Sequence, residues 1–222
     1  SQLTWLNKPT AEGIEVISRN LSEAMMKDML NSAIAALVAA IEAQTTATTA
    51  DSGSSALTYN TINSAHAKFG DASSLIVANV MDGAMYHQLI GQNLTNSANL
   101  FQAPGINVVD ILGKAVIVTD APALRETGSG ADVKVLGLVS DAAIVHDAGD
   151  LVSNIETTNG KLRIETTMQV DYSFGLGLKG YAWDTANGGK SPTDAEIATG
   201  SNWDKVATSI KHTAGVLALG PA

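Results

Sequence analysis

The 222-residue chain carries 13 Lys and Arg against 22 Asp and Glu, which gives a formal net charge of −9, and it contains no Cys. This acidic balance argues against broad binding to nucleic-acid phosphates, and the lack of Cys excludes disulfides, thiolate metal ligands and Cys nucleophiles. With 45% hydrophobic and 16% charged residues, the composition predicts a folded soluble protein with a substantial core.

The first long element is predicted to be a helix. Residues 1–20 are predicted to be irregular, because Pro9 and Gly13 interrupt regular structure. Asn20 or Ser22 is predicted to cap a helix over residues 21–41, where apolar residues recur three and four apart. The most apolar part of this helix is about half as long as the roughly 20 residues that a membrane span needs, and no leader precedes it. We therefore expect neither a secretion signal nor a membrane partner.

The middle of the chain alternates between short helices and strands. Residues 44–58 are rich in Thr, Ser, Gly and Ala and are predicted to be a linker with little reason to pack. A short helix near residues 61–69 and a buried strand over residues 74–80 follow. Asp82 is then predicted to cap a second short helix over residues 83–90. This alternation predicts a small α/β unit.

Two pairs of short strands are predicted next. Residues 91–104 form a polar loop, and residues 107–124 contain two short strands on either side of a tight turn at Gly113. Residues 127–132 are predicted to be a loop. Residues 133–149 supply the second pair of strands.

The last part of the chain contains an unusually long alternating segment. Residues 162–178 place apolar side chains at even positions for 17 residues, with only Thr166 interrupting the row. Because successive side chains of a strand point to opposite faces, this segment predicts a ribbon with one apolar and one polar face. Its predicted partner strand covers residues 151–157, and the two are joined through a turn at residues 158–160. The tail, residues 184–222, is predicted to be rich in turns, with one short segment around residues 203–206.

The predicted elements indicate an α+β fold. The long helix and the long hairpin each have one apolar face that must be covered. The most economical arrangement lays the helix along the hairpin, with the α/β unit inserted between them in the chain. Helices on one face of an antiparallel sheet define the α+β class.

The sequence offers no convincing catalytic or metal-binding motif. The histidines, His66, His87, His146 and His212, lie far apart and lack metal-ligand spacing, so surface or interface positions are predicted for them. The following carboxylates end strands or start helices, and capping explains them without catalysis: Asp71, Asp82, Asp120, Asp141 and Asp147.

Two further patterns also have structural explanations. The segment GGKS at residues 188–191 lacks the earlier Gly of a phosphate-binding loop, because that position is Asp184. Trp5, Trp183 and Trp203 are predicted to anchor packing or an interface. We therefore predict no catalytic, cofactor-binding or metal-binding residue, no cofactor, and no enzyme activity.

The order of several motifs resembles a known family. Residues 66–90 (HAKFGDASSLIVANVMDGAMYHQLI), 108–124 (VVDILGKAVIVTDAPAL) and 135–149 (VLGLVSDAAIVHDAG) are followed by the ribbon. This succession resembles the major capsid protein of tailed bacteriophages, and residues 192–216 resemble the carboxyl end of one branch of that family. Each motif alone is degenerate, and their order over nearly 200 residues carries the resemblance.

The resemblance implies a division of the chain. Residues 1–20 would be an N-terminal segment that remains of an arm or extended loop. Residues 21–58 would hold the spine helix and linker of a peripheral domain, and residues 150–222 its long strands and the tail. Residues 59–149 would form the inserted apical domain.

The resemblance also implies a structural function. Copies of the chain would associate into pentamers and hexamers and build an icosahedral shell that encloses double-stranded DNA without reading its sequence. Decoration, scaffolding and portal proteins are the implied partners. Assembly would take place in the cytoplasm of the host bacterium, and the product would be the capsid of the virion.

Two other functions remain open from the sequence. One is the shell subunit of an encapsulin-like nanocompartment that encloses a cargo enzyme. The other is a soluble α/β hydrolase or binding protein with a pocket near Asp82, His87 and Asp120. The hypotheses differ in particle size, because a hydrolase would be a monomer or a small oligomer.

Overall fold

The structure is a computed structural model, and it describes residues 10–95, 113–126, 132–159 and 164–221. Its helices are α1 (Thr10–Glu42), α2 (Tyr59–Ala67), α3 (Gly83–Thr95) and α4 (Asp194–Ile197). Its strands are β1 (Thr49–Asp51), β2 (Ile76–Met81), β3 (Ala115–Val118), β4 (Asp132–Val139), β5 (Ala143–Asp147), β6 (Val152–Asn159), β7 (Ile164–Asp171), β8 (Phe174–Leu178), β9 (Tyr181–Trp183), β10 (Trp203–Lys205) and β11 (Gly215–Pro221). The first strand predicted over residues 107–124 and most of the loop predicted over residues 127–132 lie outside the described residues.

Helix α1 begins about ten residues earlier than the sequence predicted. It has 33 residues, which corresponds to about 50 Å, so the prediction of irregular structure is wrong from Thr10 onward. Gly13 lies inside the helix and is buried, and the Ser22 hydroxyl donates to the Ser18 carbonyl at 3.0 Å instead of capping a terminus. A Gly in a helix interior costs only about 1 kcal/mol, which a helix of this length can absorb.

The carboxyl-terminal part of α1 forms the centre of the core. Its buried apolar residues are Ala33, Ile34, Ala36, Leu37, Val38, Ala39, Ala40 and Ile41. The helix contacts β5, β8, β10, β11 and α4, and its buried apolar residues lie in this carboxyl-terminal part. One of these contacts requires a glycine, because a Cβ atom at Gly200 would lie 2.7 Å from the Ala39 carbonyl oxygen.

The apolar character of α1 also bears on membranes. The helical segment of residues 15–42 is long and apolar enough to cross a bilayer, judged by length and composition. Half of its most apolar 18-residue stretch is nevertheless buried within the protein. The core helix of a soluble protein meets the same criterion, so one such helix is weak evidence for a span. The expectation of no membrane partner stays a prediction.

A five-stranded sheet lies beside α1, in the order β1-β11-β4-β2-β3. The pairs β1–β11 and β2–β3 are parallel, whereas β4 runs antiparallel to both β11 and β2. Helix α2 contacts β1, β4 and β11. The structure is thus a mixture of helix and sheet compatible with the predicted α+β class.

Two strands of this sheet contradict the sequence predictions. Strand β1 lies in the supposed linker, where Thr48 and Leu57 are fully buried and the Leu57 N–H donates to the Pro221 carbonyl at 2.9 Å. Strand β11 lies in the supposed turn-rich tail and occupies the position between β1 and β4. The polar linker packs because β11 satisfies its backbone groups. The strands of this sheet come from three of the four ranges into which the resemblance divides the chain, namely residues 21–58, 59–149 and 150–222. That division of the chain stays a prediction.

The middle of the chain follows the predictions closely. Helix α2 starts after Thr58, whose side chain accepts from the N–H of Thr61 in a capping box. Strand β2 and helix α3 also form, and Asp82 caps α3 by accepting from the Met85 N–H at 2.6 Å. Helix α3 extends to Thr95, so the polar loop predicted from residue 91 is wrong for its first five residues.

The predicted ribbon is a two-part hairpin, which we call the arm (β5, β6, β7 and β8). Strand β5 pairs with β8 at its base, and β6 pairs with β7 beyond. The predicted partner strand is confirmed, but Thr158 and Asn159 belong to β6 and not to a turn, while Gly160 lies outside the described residues.

The arm is interrupted between its two parts. Residues 148–151 stand opposite only Tyr172 and Ser173, so the predicted 17-residue strand is broken there. Gly149 has a φ of +72°, and Asp150 accepts from the backbone N–H of Ser173 at 2.9 Å and also from its hydroxyl. Residues 148–151 thus contain two more residues than the opposite strand and form a hydrogen-bonded bulge that bends the arm.

A buried lysine ties α1 to the sheet. Lys134 on β4 is 8% exposed, and its Nζ lies 2.8 Å from a carboxylate oxygen of Glu42 and 3.2 Å from one of Glu126. Burial by itself lowers the pKa of Lys134, but the hydrogen bonds and charges of Glu42 and Glu126 outweigh it, so the pKa is raised. The cation is therefore held charged between the end of the helix and the chain before β4.

We expect Lys134→Met to lower the free energy of unfolding by about 1–3 kcal/mol, because two carboxylates lose their shared cation while remaining partly exposed. Urea denaturation followed by Trp fluorescence measures the change. The control is Lys68→Met, since the Lys68 ammonium donates only to the Thr46 carbonyl at an exposed site. Equal effects of the two substitutions would contradict the stabilising role of Lys134.

Candidate functional site

The histidines do not assemble into a site. His66 is buried on α2, so the prediction of a surface or interface position is wrong for it, whereas His87, His146 and His212 are exposed at separate places. Within the described ranges, no group of three or more His, Cys, Asp or Glu could hold a metal ion. The predictions of no metal site and no cofactor remain predictions.

His66 serves the packing of α2 on the sheet. Its Nε2 donates to the Asn79 side-chain oxygen at 2.9 Å, and a Cβ atom at Gly137 would lie 2.9 Å from the same nitrogen. Burial lowers the pKa of His66 below its ordinary value of 6.5, the charge of Lys114 acts in the same direction, and the hydrogen bond to Asn79 offsets only part of the effect. His66 is thus a neutral core residue at neutral pH.

The structure brings together two of the three residues of the hypothetical hydrolase pocket. Asp82 and Asp120 line a pocket with Arg125, while His87 is exposed on α3 with its ring against Tyr86. Besides capping α3, Asp82 accepts from the Arg125 Nε at 2.7 Å. Asp120 accepts from the N–H of Gly83 at 3.0 Å. Both carboxylates therefore stabilise the start of α3, as the capping interpretation predicted for Asp82.

The GGKS segment forms a turn that packs on a tryptophan. The Trp183 indole N–H donates to the Gly189 carbonyl at 2.8 Å. The Trp183 and Trp203 rings pack edge to face with their centroids 4.8 Å apart, as expected for residues that anchor packing. Trp5 lies outside the described residues.

An aromatic cleft of about 590 Å³ opens between the arm and the segment around these tryptophans. Its aromatic lining residues are Tyr172, Phe174, Trp183 and Trp203. Asp194 also lines it and lies 3.5 Å from the Ser32 hydroxyl of α1. Most of the described residues that line the cleft are apolar or aromatic, so it offers apolar contact surface.

The arm has an inner and an outer face. Leu178, Leu176 and Ala143 lie on the inner face and pack against the core. The outer face, which we define by the residues on the opposite side, includes Ile144, His146, Val152, Asn154, Glu156, Thr158, Thr167, Gln169, Asp171, Gly175 and Gly177. Ile144 is 62% and Val152 is 63% exposed, so two large apolar side chains lie in solvent on this face.

One hydrogen bond joins α1 to the bend of the arm. The Tyr172 hydroxyl donates to an Asp28 carboxylate oxygen at 2.5 Å. This hydrogen bond, together with burial and the negative charges of Asp28 and Asp194, raises the pKa of Tyr172 to about 12. Tyr172 also stacks on Phe174, two positions along the same segment, with the ring centroids 6.3 Å apart. The predicted contact of helix and hairpin is seen at the base of the arm, where α1 contacts β5 and β8.

The amino-terminal part of α1 exposes a second surface. We define the helix strip as Arg19, Glu23, Met26, Lys27 and Leu30, which recur three and four apart on one side. Met26 is 63% and Leu30 is 48% exposed. Lys27 has no ion-pair partner among the described residues, and Arg19 makes only an exposed pair with Glu15 at 3.4 Å. The strip therefore combines exposed apolar side chains with charges of both signs, and the described residues leave it uncovered.

The chain is similar to known phage proteins. The model of a family described as Gp13-like, major capsid protein 13-like, matches residues 1–217. A protein named major capsid protein, from Bacillus phage SPP1, is 30% identical over 140 residues. That alignment covers 63% of this chain and 43% of the relative, so the match spans less than half of the relative's length.

Acidification should weaken the fold through His66. Below pH 6.5 the His66 side chain binds a proton more readily in the unfolded chain than in the folded chain. The free energy of unfolding therefore falls as the pH falls from about 6.5 toward the lower pKa of His66 in the folded state. Urea denaturation at pH 7.5 and 5.5 measures this loss. His66→Gln keeps a donor for Asn79 and should remove part of the pH dependence. An unchanged slope in His66→Gln would contradict this role.

Tyr172→Phe should loosen the arm. Loss of the hydrogen bond to Asp28 is expected to cost about 1 kcal/mol locally, which corresponds to roughly fivefold faster amide hydrogen exchange in β6 and β7. Hydrogen exchange measured by mass spectrometry checks this. Tyr86→Phe, a substitution away from the arm, is the control. Identical exchange in Tyr172→Phe and the unaltered protein would contradict the tether.

Proposed function

Because this chain belongs to the Gp13-like family of major capsid proteins, we propose that it self-assembles into an icosahedral shell around the double-stranded DNA genome of a tailed bacteriophage. The observation that carries the proposal is the family match over residues 1–217, which also confirms the resemblance drawn from the order of the motifs. A phage capsid role follows from the family, and the family is structural rather than enzymatic. The icosahedral geometry of the shell and the DNA inside it are the parts of this function that we propose.

The apolar surfaces that the described residues leave exposed suit a shell subunit. Exposed apolar side chains lie on the arm, at Ile144 and Val152, and on α1, at Met26 and Leu30. Exposed apolar patches mark interaction sites, and a subunit of a closed shell must contact several neighbours. Many modest contacts repeated by symmetry then give a stable assembly.

The charge of the chain suits a container for DNA. A net charge of −9 does not favour tight binding to phosphates along the whole inner wall. The genome would therefore be enclosed without sequence-specific contacts. Association into pentamers and hexamers, assembly in the host cytoplasm, and contact with scaffolding, decoration and portal proteins complete the proposal.

The two alternative functions receive less support. An encapsulin-like compartment would use a related shell, but the matched family and the relative are named for capsids. A hydrolase would need free catalytic groups near α3, whereas Asp82 and Asp120 are both engaged in capping it. No observation in the described residues favours either alternative over the capsid.

Expression of the protein in bacteria should yield closed particles of megadalton size, because self-association is the proposed activity. Size-exclusion chromatography with light scattering, followed by negative-stain imaging, distinguishes such particles from a single chain of 22.9 kDa. The unaltered protein treated with mild denaturant gives the unassembled reference. A stable species of one chain under all assembly conditions would overturn the proposed function.

A further inference from the structure

The distal part of the arm, β6 and β7, stands apart from the rest of the chain. The two strands pair with each other along their whole length, and among the described residues they form a sheet of only two strands. Their main contacts are with one another, and β6 is exposed at every residue. A two-stranded hairpin on its own is only marginally stable in water, and further strands stabilise it. Within the described residues, the distal part of the arm therefore lacks the additional strand that a stable sheet needs.

The edge of β6 is suited to pairing with another strand. Natural edge strands are usually kept from pairing by Lys, Pro, bulges or short length. Strand β6 is eight residues long and has no Pro and no basic residue, and its only charged residue is Glu156. Half of its residues are Val, Ile or Thr, which favour strands. Strand β7 is less suited, because it carries two carboxylates, Glu165 and Asp171.

A second copy of β6 is the partner that fits this edge by symmetry. Two identical strands pair antiparallel when a two-fold axis passes between them perpendicular to the sheet, and such a contact is self-complementary. Because directly opposite residues share one face of the sheet, the axis lies at a single residue, which faces its own copy. The residues before and after that position then face each other across the axis.

The charge of Glu156 selects where that axis lies. Axes at Ile155 and at Glu156 give the longest overlap of the strand with its copy, over residues 152–158 and 153–159. An axis at Glu156 would place two carboxylates directly opposite each other, and like charges in that position destabilise a sheet. An axis at Ile155 instead places the Asn154 side-chain amide opposite Glu156, so that the amide can donate to the carboxylate. The sequence of β6 therefore favours the axis at Ile155.

The same register brings exposed apolar side chains together. Ile155 is 53% exposed, and it lies directly opposite Met168 on β7. With the axis at Ile155, the row across two arms reads Met168, Ile155, Ile155 and Met168, on one face of the sheet. Side chains directly opposite each other on neighbouring strands are the pairs that stabilise a sheet. Pairing thus covers an apolar side chain that the described residues leave in solvent.

We propose that two copies of the chain pair antiparallel through β6 about a two-fold axis at Ile155, so that their distal arms form one four-stranded sheet. Main-chain hydrogen bonds between the two strands supply the affinity, and the side-chain pairs fix the register. The proposal rests on the proposed self-assembly and names one of its contacts. Because a two-fold contact joins only two copies, a shell needs other contacts beside it.

The test uses introduced thiols, because the chain has no Cys of its own. Ile155→Cys should form an interchain disulfide under mild oxidation, since opposite residues of an antiparallel pair have Cα atoms about 4.5–5.5 Å apart, within the range of a disulfide. Ser153→Cys is the matched control on the same strand and face, because its own copy lies about 13 Å away along the strand. We expect about tenfold more crosslinked dimer from Ile155→Cys than from Ser153→Cys, measured by gel electrophoresis without reductant.

A second pair of variants tests the register independently. Positions 154 and 156 face each other in the proposed register, so Asn154→Cys and Glu156→Cys should crosslink when the two variants are co-expressed and much less when either is alone. Positions 154 and 155 occupy alternate hydrogen-bonded and non-hydrogen-bonded sites of the ladder, so one of the two tests falls at the closer spacing. Circular dichroism verifies that each variant is folded.

Light scattering on the same samples measures assembly separately. Closed particles without the Ile155→Cys disulfide, or with as much dimer from Ser153→Cys, would show that the contact is wrong while the shell function stands. Dimers crosslinked through Ile155→Cys without larger particles would show that the contact stands and the shell function is wrong. If neither particles nor crosslinked dimers form, both proposals fail.

Discussion

The structure depends on burying the carboxyl-terminal part of α1 on every side. A helix that is apolar all round cannot face water, so β11, β5, β8, β10 and α4 must all lie against it. The sheet is anchored to the same region by Lys134, which binds Glu42 at the end of the helix. The other half of α1 has no buried residue between positions 15 and 31, so it takes little part in the core.

Local patterns in the sequence predicted the elements whose stability is local. Helix α2, strand β2 and helix α3 were found because their caps and apolar spacing lie within a few residues of one another. Strands β1 and β11 were missed because they are defined by pairing with each other over more than 160 residues, and neither has the alternation of a half-buried strand. The start of α1 was missed because Gly13 was taken as a break, although a long helix tolerates one Gly.

In the arm, too, features set by neighbouring residues were predicted from the sequence, whereas contacts between residues far apart in the chain were not. Alternation identified the pairing faces of the arm, but the bulge opposite Tyr172 depends on residues 148–151 of the other strand. The capping role of Asp82 was correctly predicted from its position before α3, whereas the bond from the Gly83 N–H to Asp120 spans 37 positions and was not. The contact between Tyr172 and Asp28 joins residues 144 positions apart, and no periodicity within either segment could have indicated it.

The position of β11 has a consequence for biosynthesis. This strand lies inside the five-stranded sheet yet follows all the other described strands along the chain. While a ribosome is still translating the earlier strands, β1 and β4 have no strand between them, and the backbone groups that β11 will pair remain open. The nascent polypeptide therefore completes its sheet only after residues 215–221 have left the exit tunnel, which delays the compact state until translation of the tail.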